Sequence, residues 1–400
     1  MTERLFYVDS YLRAFSAGIV EQQREGGRVA VTLDRTAFYP SSGGQPSDLG
    51  WLGSSRVLDV EEQASGEILH FLEAPLPPGP VEGRIDWERR FDHMQQHSGQ
   101  HILSQALLRE AGAGTVSFHL GRTSSTIDVE IARPSAEQMR KAEALASGIV
   151  FEDRPCSILN VAPQELGALG VRKETQREGE IRVVDVAGFD RSPCGGTHVR
   201  RTGEIGLISV LGWERYKGIT RIEFVCGGRA LSAMRQAQEL LVRLSILLSA
   251  APSDLPRLVE KLLGEKSDLQ REAGRLQQRI LEIEALELLD RADKSGCPII
   301  VCRDFARRDL ESVKALARSL TAGRGVLAVL STTGETAQIV VAKSADVPGN
   351  CSSAVKQTAE VLGGKGGGRP ELAQAGGVPV DRLDAWSAAV VARMCDSANC

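Results

Sequence analysis

The chain has 400 residues, of which 42% are hydrophobic and 25% charged, with 48 lysines and arginines against 52 acidic residues. That length exceeds what a single hydrophobic core usually supports, which predicts a multidomain protein. The net charge of −4 excludes nucleic-acid binding driven by global charge, and no run approaches the roughly 20 apolar residues of a membrane span.

The amino-terminal residues 1–6 lack a basic start followed by an apolar stretch, so no signal peptide is expected and the compartment predicted is the cytoplasm. Residues 1–90 alternate short apolar runs with glycine and proline clusters, the pattern of a small β-barrel-like domain. Residues 91–228 are mixed α/β. A helix is predicted over 91–110, where Met94, Ile102, Leu103, Ala106 and Leu107 form a stripe. A second opens near Pro134-Ser135-Ala136-Glu137, and strands are expected around 181–186, 206–211 and 220–225. Over 229–295 the chain reads as helical and coiled-coil-like. Leu255, Leu262, Leu269, Leu276 and Ile283 recur every seven residues, with Val259, Ala273 and Ile280 between them. Whether that seam packs in a hairpin within the chain or pairs two copies is open. Residues 296–400 return to α/β, with strands at 298–302 and 326–330, a helix at 310–320, and a glycine cluster at 363–368 before a final helix. The class expected is therefore α+β with four modules.

Eight cysteines are scattered without a disulfide-like spacing and, in a reducing compartment, read as packing thiols or metal ligands. Cys156, Cys226, Cys297 and Cys302 sit in apolar or strand-like settings. Cys194 differs. It lies in Ser192-Pro193-Cys194-Gly195-Gly196-Thr197-His198, four residues before a histidine. His97 and His101 share that spacing on a predicted helix, so both rings leave one face one turn apart. Thiolate and imidazole donors suit zinc. Together the two motifs use three of the chain's six histidines. A structural zinc pinning the 190s loop to the helix is the plainer alternative, because four protein ligands fill a tetrahedral shell. His93, one turn before His97, could be a further ligand, orient that ring or simply belong to the helix, the ligand reading being the least favoured. His70 and His119 have no comparable partners and read as ordinary polar residues. From Arg191 to Arg229 there are seven basic residues against three acidic ones. This local positive excess surrounds the ligand loop and suits an anionic substrate, with Arg200 and Arg201 its first members after His198.

Three segments carry a resemblance. Thr36-Ala37-Phe38-Tyr39-Pro40-Ser41-Ser42-Gly43-Gly44-Gln45-Pro46-Ser47-Asp48-Leu49-Gly50, the His97-x3-His101 helix beginning at Asp92, and Cys194 to His198 followed by Thr202-Gly203-Glu204-Ile205-Gly206 resemble the editing domain of alanyl-tRNA synthetase. They are equally similar to its freestanding relatives, the AlaX family. The cluster from Gly363 to Pro370, with Gln374 to Gly377, resembles the DHH-associated C-terminal domain of those synthetases, which points to the long AlaX type. The first 90 residues are too few for an aminoacylation domain, and no catalytic Asp-His-His domain precedes the C-terminal module.

The resemblance implies an aminoacyl-tRNA deacylase that removes serine, with glycine as a second candidate, from tRNA(Ala) in trans with Zn2+ held by His97, His101, Cys194 and His198. It makes Thr36 the candidate reader of the seryl hydroxyl and Gln45 a second polar contact. A site that hydrogen-bonds a hydroxyl can discriminate by roughly 10⁴-fold, whereas an apolar pocket manages about 10²-fold. Backbone N–H groups at Gly195 and Gly196 are candidates for stabilising the oxyanion, and Lys365 and Arg369 for contacting the tRNA backbone. The partner implied is mischarged tRNA(Ala), no membrane is involved, and a homodimer would form through the helical or C-terminal region. The rival class is a non-catalytic tRNA-binding protein with a structural zinc.

Overall fold

Pro80–Ile85 alternates exposed and buried residues along its length, and Arg28–Leu33 is buried at every position after the first. The period-two burial of the first suits a strand that wraps a core with one face, and the continuous burial of the second a strand covered on both faces. In the computed structural model, six such strands close into a barrel in the order Ala14–Glu25, Arg28–Leu33, Ile68–Leu72, Ser55–Glu62, Gly50–Leu52, Pro80–Ile85. The barrel is packed with Phe15, Val31, Leu33, Phe38, Leu52 and Val60. Residues 2–172, 179–334 and 336–396 are described; Met1 and the last four residues of the expected C-terminal module lie outside them. The chain divides into two units, Met1–Leu247 and Leu248–Cys400.

In the first unit, the helix Trp87–Ala111 follows the barrel. It starts four residues earlier than the apolar stripe suggests because the Asp86 side chain caps it, accepting from Arg89 N–H at 3.2 Å. Such a cap stabilises a helix by about 1 kcal/mol. Gly112, at φ 63°, ends it in a left-handed turn. The stripe of Met94, Ile102, Leu103, Ala106 and Leu107 is wholly buried. It packs against Ile127, Ile222 and Phe224 of a four-stranded antiparallel sheet and against Met139, Ala142 and Ala146 of the helix Ala136–Phe151. That second helix is capped by Ser135 with Gln138 as its reciprocal partner, so the capping box lies one residue on from the Pro134–Glu137 pair. A three-stranded sheet, Cys156–Val161, Ile181–Val186 and Asp190–Pro193, carries the ligand loop at its end. The helix Gly227–Leu248 begins two residues before Arg229.

Arg90 fastens this helix to the barrel. Its guanidinium is fully buried, pairs with Asp48 through Nε at 2.9 Å and through Nη2, and also donates to the carbonyls of Ser10 and Ala37. Asp48 also accepts from Tyr39 N–H at 2.6 Å. The glycine-rich motif is thereby anchored to the helix about two turns before His97.

In the second unit, a five-stranded sheet runs Ile299–Ala306, Val326–Thr333, Ala337–Lys343, Leu372–Val378, Lys365–Gly368, and only its first pair is parallel. Val326, Ala328 and Leu330 pack against the helix Leu310–Leu320, while Leu327 and Val329 face the opposite layer with Trp386 and Val355. The helix Leu255–Arg291 docks on this unit through Leu281 and Ala285. Its seven-residue seam lies elsewhere: Leu262, Leu269, Leu276, Ile280 and Ile283 are exposed. Among the described residues no helix is long and apolar enough to cross a membrane.

Candidate metal centre

The donor atoms of His97, His101, Cys194 and His198 all lie within 4.8 Å of one another. Cys194 Sγ is 3.3 Å from His97 Nε2 and 3.3 Å from His198 Nε2. A tetrahedral zinc with ordinary Zn–S and Zn–N bonds has S···N edges of about 3.6 Å, so the spacing fits such an ion with little adjustment.

The outer ring nitrogens reinforce the fit. His97 Nδ1 donates to Gln45 Oε1 at 2.7 Å, His198 Nδ1 lies 3.1 Å from Ser98 Oγ, and His101 Nδ1 donates to Asp190 at 3.2 Å. Each Nδ1 is thus engaged outward and each Nε2 is left for the centre. Fixing the tautomer and orientation of metal-binding histidines is what such outer partners do. Asp190 is in turn held by Arg172 Nε at 2.8 Å. Gln45 completes its bonds with Thr197, donating from Nε2 to Oγ1 at 2.9 Å.

Protonation states agree with a metal centre. Burial, with the Arg182 charge nearby, pushes His97 down to about 3, and burial holds His198 well below the usual imidazole value. For His101, burial opposes the charged form but the bonds to Asp190 and Cys194 outweigh it and raise its pKa. Burial alone would raise the Cys194 thiol, yet His101 and the Gly196 N–H, 3.4 Å from Sγ, turn the shift downward. A thiol that ionises readily beside the neutral rings of His97 and His198 is what zinc requires.

Glycine at 196 is required by space. A Cβ there would lie 2.2 Å from His97 Cε1 and 3.0 Å from Gln45 Oε1. Gly44, at φ 84°, similarly lets the motif's turn press on the Phe118 carbonyl. The centre opens into a cleft of about 200 Å³ lined by Arg4, Tyr7, Tyr39, Glu62, Cys194 and Gly195, among others.

Thr36 is buried in the barrel, where its hydroxyl lies 2.8 Å from His70 Nε2 and accepts from Phe38 N–H at 3.1 Å. His70 Nδ1 faces the Val31 carbonyl at 3.1 Å and must carry the proton; burial lowers the ring to about 4 and keeps it neutral. Thr36 therefore donates to Nε2. His70, an ordinary polar residue by sequence, is the partner of Thr36. His93 is buried with Nδ1 unpartnered and is outside the four-residue cluster; His119 is exposed. Arg200 pairs with Asp9 at 3.0 Å and Arg201 with Asp153 at 2.6 Å, both at the surface. In the second unit, Arg369 lines a cleft of about 580 Å³ with Lys314, Arg318 and Lys343, and Lys365 is exposed on the neighbouring edge strand. Sequence reasoning missed Asp190, Arg172, Ser98 and Arg182, none of which stands in a motif with its partner.

Residues 181–223, which include Cys194 and His198, match the threonyl and alanyl tRNA synthetase second additional domain, and residues 304–394 match the DHHA1 domain. The chain is 36% identical to an alanine–tRNA ligase of Methanoregula boonei and 30% identical to that of Methanothermobacter thermautotrophicus. These matches cover 96% of the chain but span only 42% and 44% of the ligases. It is 34% identical to the alanyl-tRNA editing protein AlaX-L of Pyrococcus horikoshii over 94% of both chains. With that identity over nearly the whole of both lengths, the protein belongs to the family of the alanyl-tRNA editing protein AlaX-L.

Proposed function

We propose that the protein deacylates tRNA(Ala) mischarged with serine, and glycyl-tRNA(Ala) as a second substrate, acting in trans and with zinc held by His97, His101, Cys194 and His198. The observation that carries this reading is the convergence of those four donors, each histidine with its outer nitrogen engaged, at the inner end of a cleft. The editing protein AlaX-L, matched over nearly its full length, supports it. A bound zinc would supply Lewis acidity toward an ester carbonyl or a water.

The chain's own residues do the rest. Gln45, Ser98 and Asp190 hold the three rings in register. Glycines 195 and 196 let the ester approach the loop backbone without a Cβ in the way. Thr36 has one lone pair left after donating to His70 and accepting from Phe38, and in this reading that lone pair accepts a hydrogen bond from the seryl hydroxyl. Alanine offers no such donor. Arg200, Arg201, Lys365 and Arg369 contact tRNA phosphates, and a homodimer through the exposed helical seam belongs to the same reading.

A second reading rests on the ligand count. Four protein ligands leave no open position, which favours a zinc that holds the loop and substrate in place. Deacylation of seryl-, glycyl- and alanyl-tRNA(Ala) by metal-free and zinc-restored protein tests both. Serine release that needs zinc supports the hydrolase, and no release with zinc present supports a binding protein.

A further inference from the structure

Glu62 is the only carboxylate among the described residues that line the cleft opening from the metal centre. It ends the strand Ser55–Glu62, and the turn that follows closes through Gly66 N–H on the Gln63 carbonyl at 2.8 Å. Arg4 ties strand and turn together: its Nη2 pairs with Glu62 Oε1 and donates to the Gly66 carbonyl at 3.3 Å. Arg4 is itself held in the short parallel pair of Glu3–Arg4 with Arg35–Thr36, in register with Thr36. The carboxylate is therefore fixed at one oxygen. The other, Oε2, has no hydrogen-bond partner among the described residues, and the side chain is 31% exposed, so that oxygen is open to a ligand.

The side-chain cations around the cleft are Arg4, in its wall, and Arg182, which lies 5.5 Å from the centre of the Tyr7 ring and donates from Nη1 to the Cys194 carbonyl at 2.7 Å. A bound metal would add positive charge to theirs. An aminoacyl ester carries an α-ammonium group on the carbon next to its carbonyl, so a substrate that brings the carbonyl to the metal brings a cation with it. Removing water from an ammonium in positive surroundings is unfavourable unless a carboxylate takes the water's place. In a cleft of about 200 Å³, an aminoacyl group beside the metal touches the walls, and Glu62 is the one carboxylate there.

We propose that Glu62, held by Arg4, takes the α-ammonium group of the substrate, so that the site accepts free aminoacyl esters and disfavours those whose amine is acylated. This rests on the proposed deacylase and adds a second recognised group to the hydroxyl read at Thr36. A purely structural Glu62 would only fasten Arg4 to the barrel.

Binding of stable amides tests the contact apart from hydrolysis. The full-length, zinc-loaded protein is titrated calorimetrically with 3′-deoxy-3′-(serylamino)adenosine and with its N-acetyl form, whose amine is neutral. Wild type is expected to bind the free amine about tenfold more tightly. Glu62→Gln keeps an acceptor for Arg4 but loses the charge. It should bring the two affinities within about twofold of each other by weakening the free amine alone. Arg4→Met leaves the carboxylate in place and should keep the preference. Equal affinities in wild type, no measurable binding of the free amine, or the wild-type preference retained in Glu62→Gln would overturn the proposal. So would an equal loss for both amides in Glu62→Gln with the fold intact by circular dichroism, since Glu62 would then act only on the barrel. The same preference should appear in kcat/KM for seryl- over N-acetylseryl-tRNA(Ala). Wild-type protein that distinguishes the amides but releases no serine would refute the deacylase reading and leave the ammonium contact standing.

Discussion

Gln45→Leu removes the side chain that links the glycine-rich motif to the metal centre. Three hydrogen bonds go with it: the 2.7 Å bond from His97 Nδ1, the 3.3 Å bond from Thr197 N–H, and the 2.9 Å bond to Thr197 Oγ1. The His97 ring is then free to turn, and its buried Nδ1–H has no acceptor, a loss of about 1–3 kcal/mol. Outer partners of metal-binding histidines typically contribute 10- to 100-fold in affinity. Zinc affinity is therefore expected to weaken by that factor, about 1.4–2.7 kcal/mol. Competition against a chromophoric chelator measures it, and Gln45→Glu, which keeps the acceptor, should lie nearer wild type. Zinc affinity of Gln45→Leu within twofold of wild type would refute the assignment. If that came with a changed preference between seryl and alanyl esters, Gln45 would contact the substrate instead.

Thr36→Val should retain zinc but reduce discrimination of seryl over alanyl ester from roughly 10⁴ toward about 10², at a stability loss of about 1–3 kcal/mol for the unpaired His70 Nε2 and Phe38 N–H. An unchanged ratio of deacylation rates contradicts the role given to Thr36. Arg90→Met strands the Asp48 carboxylate in the interior and should destabilise the first unit by about 3–5 kcal/mol, whereas adding Asp48→Leu should recover much of that loss. Urea unfolding compares them, and a double variant no more stable than the single one argues against it. Charge reversal at Lys365 and Arg369 should weaken tRNA binding and flatten its salt dependence; binding isotherms that superimpose on wild type at several salt concentrations would remove both residues from the interface.

The ligands were legible because their spacing is itself structural: four residues is one helical turn for His97 and His101, and the tight Cys-Gly-Gly-Thr-His segment repeats the interval in a loop. The helix carrying them was equally clear from its stripe. Its true start was not, because Asp86 caps it from outside the apolar pattern. The roles of Asp190, Arg172 and Arg182 depend on contacts across strands, and nothing in their local sequence distinguishes them from other charged residues. The edge strand Lys365–Gly368 escaped notice for a different reason. Its Lys-Gly-Gly-Gly sequence has almost no β preference, and the strand exists because Leu372–Val378 supplies the backbone partner. The seven-residue seam at Leu262, Leu269 and Leu276 was read as a packing face, while docking on the second unit uses Leu281 and Ala285 on another side of the same helix.

The central claim is that these four ligands serve ester hydrolysis. It is tested most directly by following serine release from seryl-tRNA(Ala) with purified full-length protein, stripped of metal and then reconstituted with one equivalent of zinc. The account predicts that release stops on stripping and returns with zinc, while alanyl-tRNA(Ala) is spared throughout. Serine release that is undiminished in metal-free protein, or absent from fully zinc-loaded protein, would contradict it.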